Sequence, residues 1–130
     1  MESHHKIIAL DTNVLVSIAK TKIDALEEAK KQFGKQTAFV VPLAVVEEID
    51  ALALKGKTMK KACLIAGKII ALHGVKVIAT KAGNADSALL ELAKTGAIVI
   101  TSDRELKRRV KKAHGKIIEL SNGRIKAENY

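Results

Sequence analysis

A length of 130 residues suits one compact domain, and 48% apolar content is enough for a real core. Lys and Arg total 23 against 14 Asp and Glu, a net charge of +9. That balance favours a polyanionic partner, nucleic acid first, over a neutral or cationic one. No apolar run reaches the roughly 20 residues of a membrane span, and the N-terminus lacks the basic-then-apolar layout of a secretory signal, so the expectation is a cytoplasmic protein. The single cysteine, Cys63, excludes an intramolecular disulfide and any multi-cysteine metal site.

Short β-branched runs alternate with longer helical patterns, the signal of parallel βαβ units. Residues 1–5 read as a polar leader, including His4 and His5, which carry no weight. Lys6 to Leu10 reads as the first strand, followed by helix from Thr12 to about Phe33. Ala38 to Val41 is the second strand, ended by Pro42, the only proline, which suits a first helical turn. A helix over about Leu43 to Leu54 follows, and Gly56 separates it from a further helix. There Met59, Ala62, Cys63, Ala66, Ile69, Ile70 and His73 recur at spacings of three and four as one apolar stripe. Cys63 on that stripe reads as a small core residue. The plan then repeats: strand Val75 to Ala79, helix Asn84 to Lys94, strand Ala97 to Ile100, helix Asp103 to Ala113, strand Lys116 to Leu120. Residues 121–130 carry an Asn122-Gly123 turn signal and read as a small hairpin or a partner-binding tail. The expectation is a single α/β domain, five strands with helices on both faces, its βα loops gathered at the carboxyl edge where open sheets of this kind bind ligands.

Four carboxylates fall at or just after that edge: Asp11, Glu48, Asp86 and Asp103. Each has a plain structural reading on its own. Asp11, in Leu10-Asp11-Thr12-Asn13, resembles a helix cap. Asp86 follows Asn84, a plausible cap, and sits where a carboxylate complements the helix dipole. Ser102 with Glu105 makes a capping box, leaving Asp103 without an obvious structural task. Glu47 and Glu48 lie about 100° apart around their helix, and nothing local says which turns inward. Independent caps have no reason to converge, however. Four acids on one edge of one sheet, inside a very basic protein, suit metal-dependent phosphodiester chemistry.

These residues carry a resemblance to the PIN-domain ribonucleases. It runs from Ile8-Ala9-Leu10-Asp11-Thr12-Asn13-Val14-Leu15, through Val40-Val41-Pro42-Leu43-Ala44-Val45-Val46-Glu47-Glu48-Ile49 and Asp86-Ser87-Ala88-Leu89-Leu90, to Ile98-Val99-Ile100-Thr101-Ser102-Asp103-Arg104-Glu105-Leu106. No one motif is specific; all four in this order and at these separations are. The family pattern places a glutamate just before an aliphatic residue, which selects Glu48 over Glu47. It often has Asn where this chain has Ser102, a departure that leaves that position without an assigned polar role. The ending Arg104-Glu105-Leu106-Lys107-Arg108-Arg109 looks most like the archaeal and eukaryotic branch connected with ribosomal RNA processing.

The resemblance implies a three-layer α/β/α sandwich with a five-stranded, mostly parallel sheet, and a divalent-metal-dependent endoribonuclease. Asp11, Glu48, Asp86 and Asp103 would hold one or two Mg²⁺ or Mn²⁺ ions, hard cations that prefer carboxylate oxygens, with no Cys or His group for zinc. In a two-ion arrangement one ion would activate the attacking water and the other stabilise the leaving oxygen. The implied partners are RNA, single-stranded or a structured ribosomal precursor, together with a homodimer mate, an antitoxin or a ribosomal particle. Two other readings stay open: a toxin-type ribonuclease controlled by an antitoxin, and a weakly active assembly factor that binds RNA or ribosomes. An aspartyl-nucleophile phosphohydrolase is disfavoured, since Leu10-Asp11-Thr12-Asn13 lacks a second Asp two positions on.

No acid occurs between Ala51 and Ala85, where Lys55, Lys57, Lys60, Lys61, Lys68, Lys76 and Lys81 stand, and a second basic run starts at Arg104. Singly, each cation reads equally as a phosphate contact or a solvated helix face; summed, they attract RNA without regard to sequence. Aromatics are only 2% of the chain, so base stacking adds little.

Overall fold

A computed structural model of the protein describes residues 6–126; residues 1–5 and 127–130, with the expected leader and the end of the expected tail, lie outside the described residues. The sheet grows from apolar runs too buried to alternate. β1 (Ile7–Leu10), β2 (Ala38–Pro42), β4 (Ile98–Thr101) and β5 (Lys116–Ser121) bury nearly every residue past their first, as strands covered on both faces must. β3 (Lys76–Ile78) is short and half-exposed, and Lys76 on it blunts the sheet edge. The strand order is β3-β2-β1-β4-β5-β6, parallel throughout except for β6 (Arg124–Lys126), which runs antiparallel to β5.

The sheet therefore has six strands where the sequence suggests five. The sixth exists because Asn122 and Gly123 both take positive φ, 52° and 81°, the twist of a tight hairpin turn. Glu28 then anchors β6, accepting from the Ile125 amide at 3.2 Å and from Arg124 at 3.0 Å.

Six α-helices pack on the sheet: α1 (Thr12–Thr21), α2 (Ala25–Phe33), α3 (Leu43–Leu52), α4 (Lys57–Leu72), α5 (Ala85–Lys94) and α6 (Arg104–Lys112). The single helix expected over Thr12 to Phe33 is two. Lys22 turns left-handed at φ 60° to close α1, and the Asp24 side chain starts α2 by accepting from the Leu26 and Glu27 amides. The stripe on α4 is buried as its spacing predicts: Ala62, Cys63 and Ala66 are in the core, and the Cys63 thiol donates to the Ile49 carbonyl at 3.2 Å. At the end of α4, His73 pairs with Asp24 at 2.7 Å and packs edge-on to Phe39.

Strands diverge from the β1–β4 pair, so the crevice between their carboxyl ends is the switch point at which such sheets bind ligands. The core beneath it is dense, with Leu10, Leu15, Leu89, Ile100 and Leu106 fully buried. Two glycines give a test of opposite signs. Gly67 lies inside α4 with open space where a Cβ would go, so Gly67→Ala should raise stability by about 0.5–1 kcal/mol. Gly123 has φ 81° and a Cβ there would lie 2.7 Å from the Thr21 hydroxyl oxygen, so Gly123→Ala should lower it by about 1 kcal/mol or more. Denaturant midpoints check both.

Candidate metal centre

Asp11 follows β1 directly and is 4% exposed, the most buried acid among the described residues. It stands at the N-cap position of α1, yet its carboxylate makes no capping bond. It turns instead across the switch point, where the Thr101 hydroxyl at the end of β4 donates to Asp11 Oδ2 at 2.7 Å. That same hydroxyl accepts from the Asp103 amide at 3.0 Å. Thr101 is fully buried, and through it the loops after β1 and β4 are held together. Sequence reasoning passed over Thr101; its only signal was a hydroxyl closing an otherwise apolar strand.

Asp103 corrects the capping assignment. Its Oδ1 accepts from the Glu105 amide at 2.8 Å and the Leu106 amide at 3.1 Å, so Asp103 caps α6 and the exposed Ser102 does not. The capping bonds fix that carboxylate at the start of α6 and leave Oδ2 free of them.

Asp86 occupies the first turn of α5, where Asn84 caps the helix by accepting from the Ser87 amide at 2.9 Å. The loop leading there is pinned by Glu91, which accepts from the Lys81 and Ala82 amides at 3.1 and 3.2 Å. Glu48 is exposed on α3, and its charge acts on both Asp11 and Asp86. Glu47 faces another way, lining a small cavity with Leu43, Ala44 and the 79–83 loop. All four predicted acids therefore share one electrostatic neighbourhood.

The energetic cost of holding an acid at this edge falls chiefly on Asp11. Burial pushes its pKa up to about 6 from the usual 3.8, helped by the charges of Asp86 and Glu48 and opposed by the Thr101 hydroxyl and the Thr12 amide. Asp86 is also raised, by burial first, then by Asp103 and Glu48, with Arg109 working against the rise. Beside Asp11 the Thr12 hydroxyl is buried with no hydrogen-bond partner among the described residues. An orphaned hydroxyl beside acids that resist ionisation fits a centre that receives a hydrated cation, and the all-oxygen donor set fits Mg²⁺ or Mn²⁺.

A second grouping lies apart from this one. Ligand atoms of Asp24, Glu27 and His73 come within 4.8 Å of one another, while the four acids at the sheet edge do not close so tightly. Folding closes a gap of 49 residues to set His73, which the sequence places on the apolar stripe of α4, beside Asp24. With Nδ1 buried and unpartnered, the tautomer that donates from Nε2 to Asp24 avoids an orphaned N–H. That makes His73 a clamp between α4 and α2.

A doubly wound α/β fold with acids gathered at its switch point is the class of protein defined here. The chain matches the family described as PIN like domain over residues 8–123 and belongs to that family. It is 36% identical over 105 residues to ribonuclease VapC9 of Archaeoglobus fulgidus, covering 78% of this chain and 73% of that protein. It is 32% identical over 112 residues to ribonuclease VapC4 of Methanocaldococcus jannaschii, covering 82% of each. Among solved structures, the PIN domain endonuclease Utp24 superposes with a TM-score of 0.73 at 23% identity, over 92% of this chain and 90% of that one, a likeness of fold.

The buried acid has a consequence for stability. The unfolded chain releases the Asp11 proton near 3.8 and the folded chain near 6, so the stability that this proton confers is complete below 3.8 and lost as pH rises through 6. Metal-free protein should lose on the order of 2–3 kcal/mol from this group across that window. Asp11→Asn should flatten the loss and be the more stable protein at pH 7, as denaturant titrations in EDTA from pH 4 to 7.5 would show.

Proposed function

We propose that this protein is a divalent-metal-dependent endoribonuclease in which Asp11, Glu48, Asp86 and Asp103 hold Mg²⁺ or Mn²⁺. The observation that carries the reading is the convergence of four acids, one buried with a raised pKa, at the switch point of a strongly basic protein. When bound, the metal supplies an activated water and charge stabilisation at the phosphate, so no side chain need be the general base. The chain's own residues do the positioning. Thr101 orients Asp11, the helix-capping bonds fix Asp103, and Asn84 with Glu91 fixes the segment that carries Asp86. The surrounding cations draw in the RNA backbone without reading its sequence.

A second reading is a toxin-type ribonuclease held by an antitoxin. The identity to two archaeal VapC ribonucleases favours it over ribosomal RNA processing, since the likeness to Utp24 is one of fold. A small neighbouring gene whose product suppresses cleavage would decide for it.

Cleavage of an end-labelled single-stranded RNA with Mn²⁺, Mg²⁺ or EDTA tests the main reading. Wild-type protein should cut only with metal, and Asp11→Asn should lower the rate at least about 100-fold while remaining folded. Glu48→Gln should be impaired and Glu47→Gln near wild type; the reverse would put the metal ligand one residue earlier. Salt-sensitive RNA binding without cleavage would move the weight to an assembly factor.

A further inference from the structure

A cavity of about 530 Å³ lies between the end of α1 and the start of α4. Its floor is apolar, formed by Ala19, Met59, Ala62 and Ile65, and its rim carries five lysines: Lys20, Lys22, Lys55, Lys57 and Lys61. All five are exposed, no carboxylate lines the cavity, and among the described residues none of the five is in an ion pair. Elsewhere this chain does pair its cations, as with Lys107 and Glu119 or Arg124 and Glu28.

The placement costs stability in two ways. Five like charges around one cavity repel one another. Lys57 also stands in the first turn of α4, where positive charge opposes the helix dipole, with no acid in that turn and no side-chain cap to offset it. A local rule broken without a structural gain marks a position kept for binding. An anion with apolar parts would meet the rim through its charge and the floor through its body.

We propose that this cavity is a second contact for the RNA strand, which holds a phosphate and its nucleoside away from the acidic centre. The inference rests on the ribonuclease reading and adds to it. Because α1 starts at Thr12 and the cavity lies at its other end, the two contacts are about 15 Å apart along the helix. A strand must be several nucleotides long to engage both. A dinucleotide occupies only the acidic centre, so the lysines set affinity for longer RNA and leave cleavage of the shortest substrates alone.

The test uses Asp11→Asn protein and a fluorescent single-stranded RNA 12-mer, with anisotropy measured over a range of salt. Adding Lys20→Gln, Lys57→Gln and Lys61→Gln together should raise Kd at least 10-fold and lower the salt slope by about 2. A control with Lys31→Gln, Lys35→Gln and Lys126→Gln, equal in net charge and outside the cavity, should change Kd by less than about 3-fold. In otherwise wild-type protein the cavity triple should lower kcat/KM for the 12-mer and not for a dinucleotide, and should melt no lower than wild type. Equal effects of the two triples would overturn the proposal, as would stronger displacement of RNA by an acidic peptide than by a nucleotide polymer, or by inorganic phosphate at the same phosphate concentration. Lysine-dependent binding without cleavage by any variant would uphold this contact and sink the nuclease. Cleavage with no lysine dependence would do the opposite.

Discussion

The hydrogen bond from the Thr101 hydroxyl to Asp11 is the interaction on which the rest of the centre depends. It crosses the one place where the sheet reverses its direction of growth, between β1 and β4. It also fixes a carboxylate that burial alone would turn away or neutralise. Because Thr101, 90 positions from Asp11, accepts from the Asp103 amide as well, the acids that follow two neighbouring strands are set by one hydroxyl. The other two approach on α3 and α5, helices whose own starts follow from the ends of β2 and the pinned 79–83 loop.

Charge in this protein is not arranged for the stability of the free chain. The acids sit together where burial first, and then their mutual repulsion, raises Asp11 and Asp86, and lysines crowd a helix start where the dipole disfavours them. Each arrangement costs the free protein something, and each would be relieved by a ligand of opposite charge, a cation in the proposed metal centre and a polyanion in the proposed cavity contact. The densely packed interior beneath the switch point supplies the stability that tolerates both.

Strands and most helices were legible because buried runs and periodic stripes record their own surroundings; the stripe on α4 is the clearest example. The break between α1 and α2 was not, because Lys22 takes a left-handed conformation with no Gly or Pro to announce it. Two adjacent residues, Ser102 and Asp103, can both cap a helix, and only the fold shows that Asp103 does. Glu47 and Glu48 differ by a rotation that a single sequence cannot fix, and it took the family pattern to choose between them. The clamp from His73 to Asp24 and the bridge through Thr101 join residues 49 and 90 positions apart, a separation at which spacing carries no information.

Calorimetric titration with Mn²⁺ near pH 6 tests directly whether the four acids form a metal centre organised by Thr101. Wild-type protein should bind Mn²⁺ and release protons as Asp11 ionises. Binding should weaken by about 10–100-fold in Thr101→Val, recover in Thr101→Ser and vanish in Asp11→Asn. Equal affinity in wild type and Asp11→Asn would contradict the account.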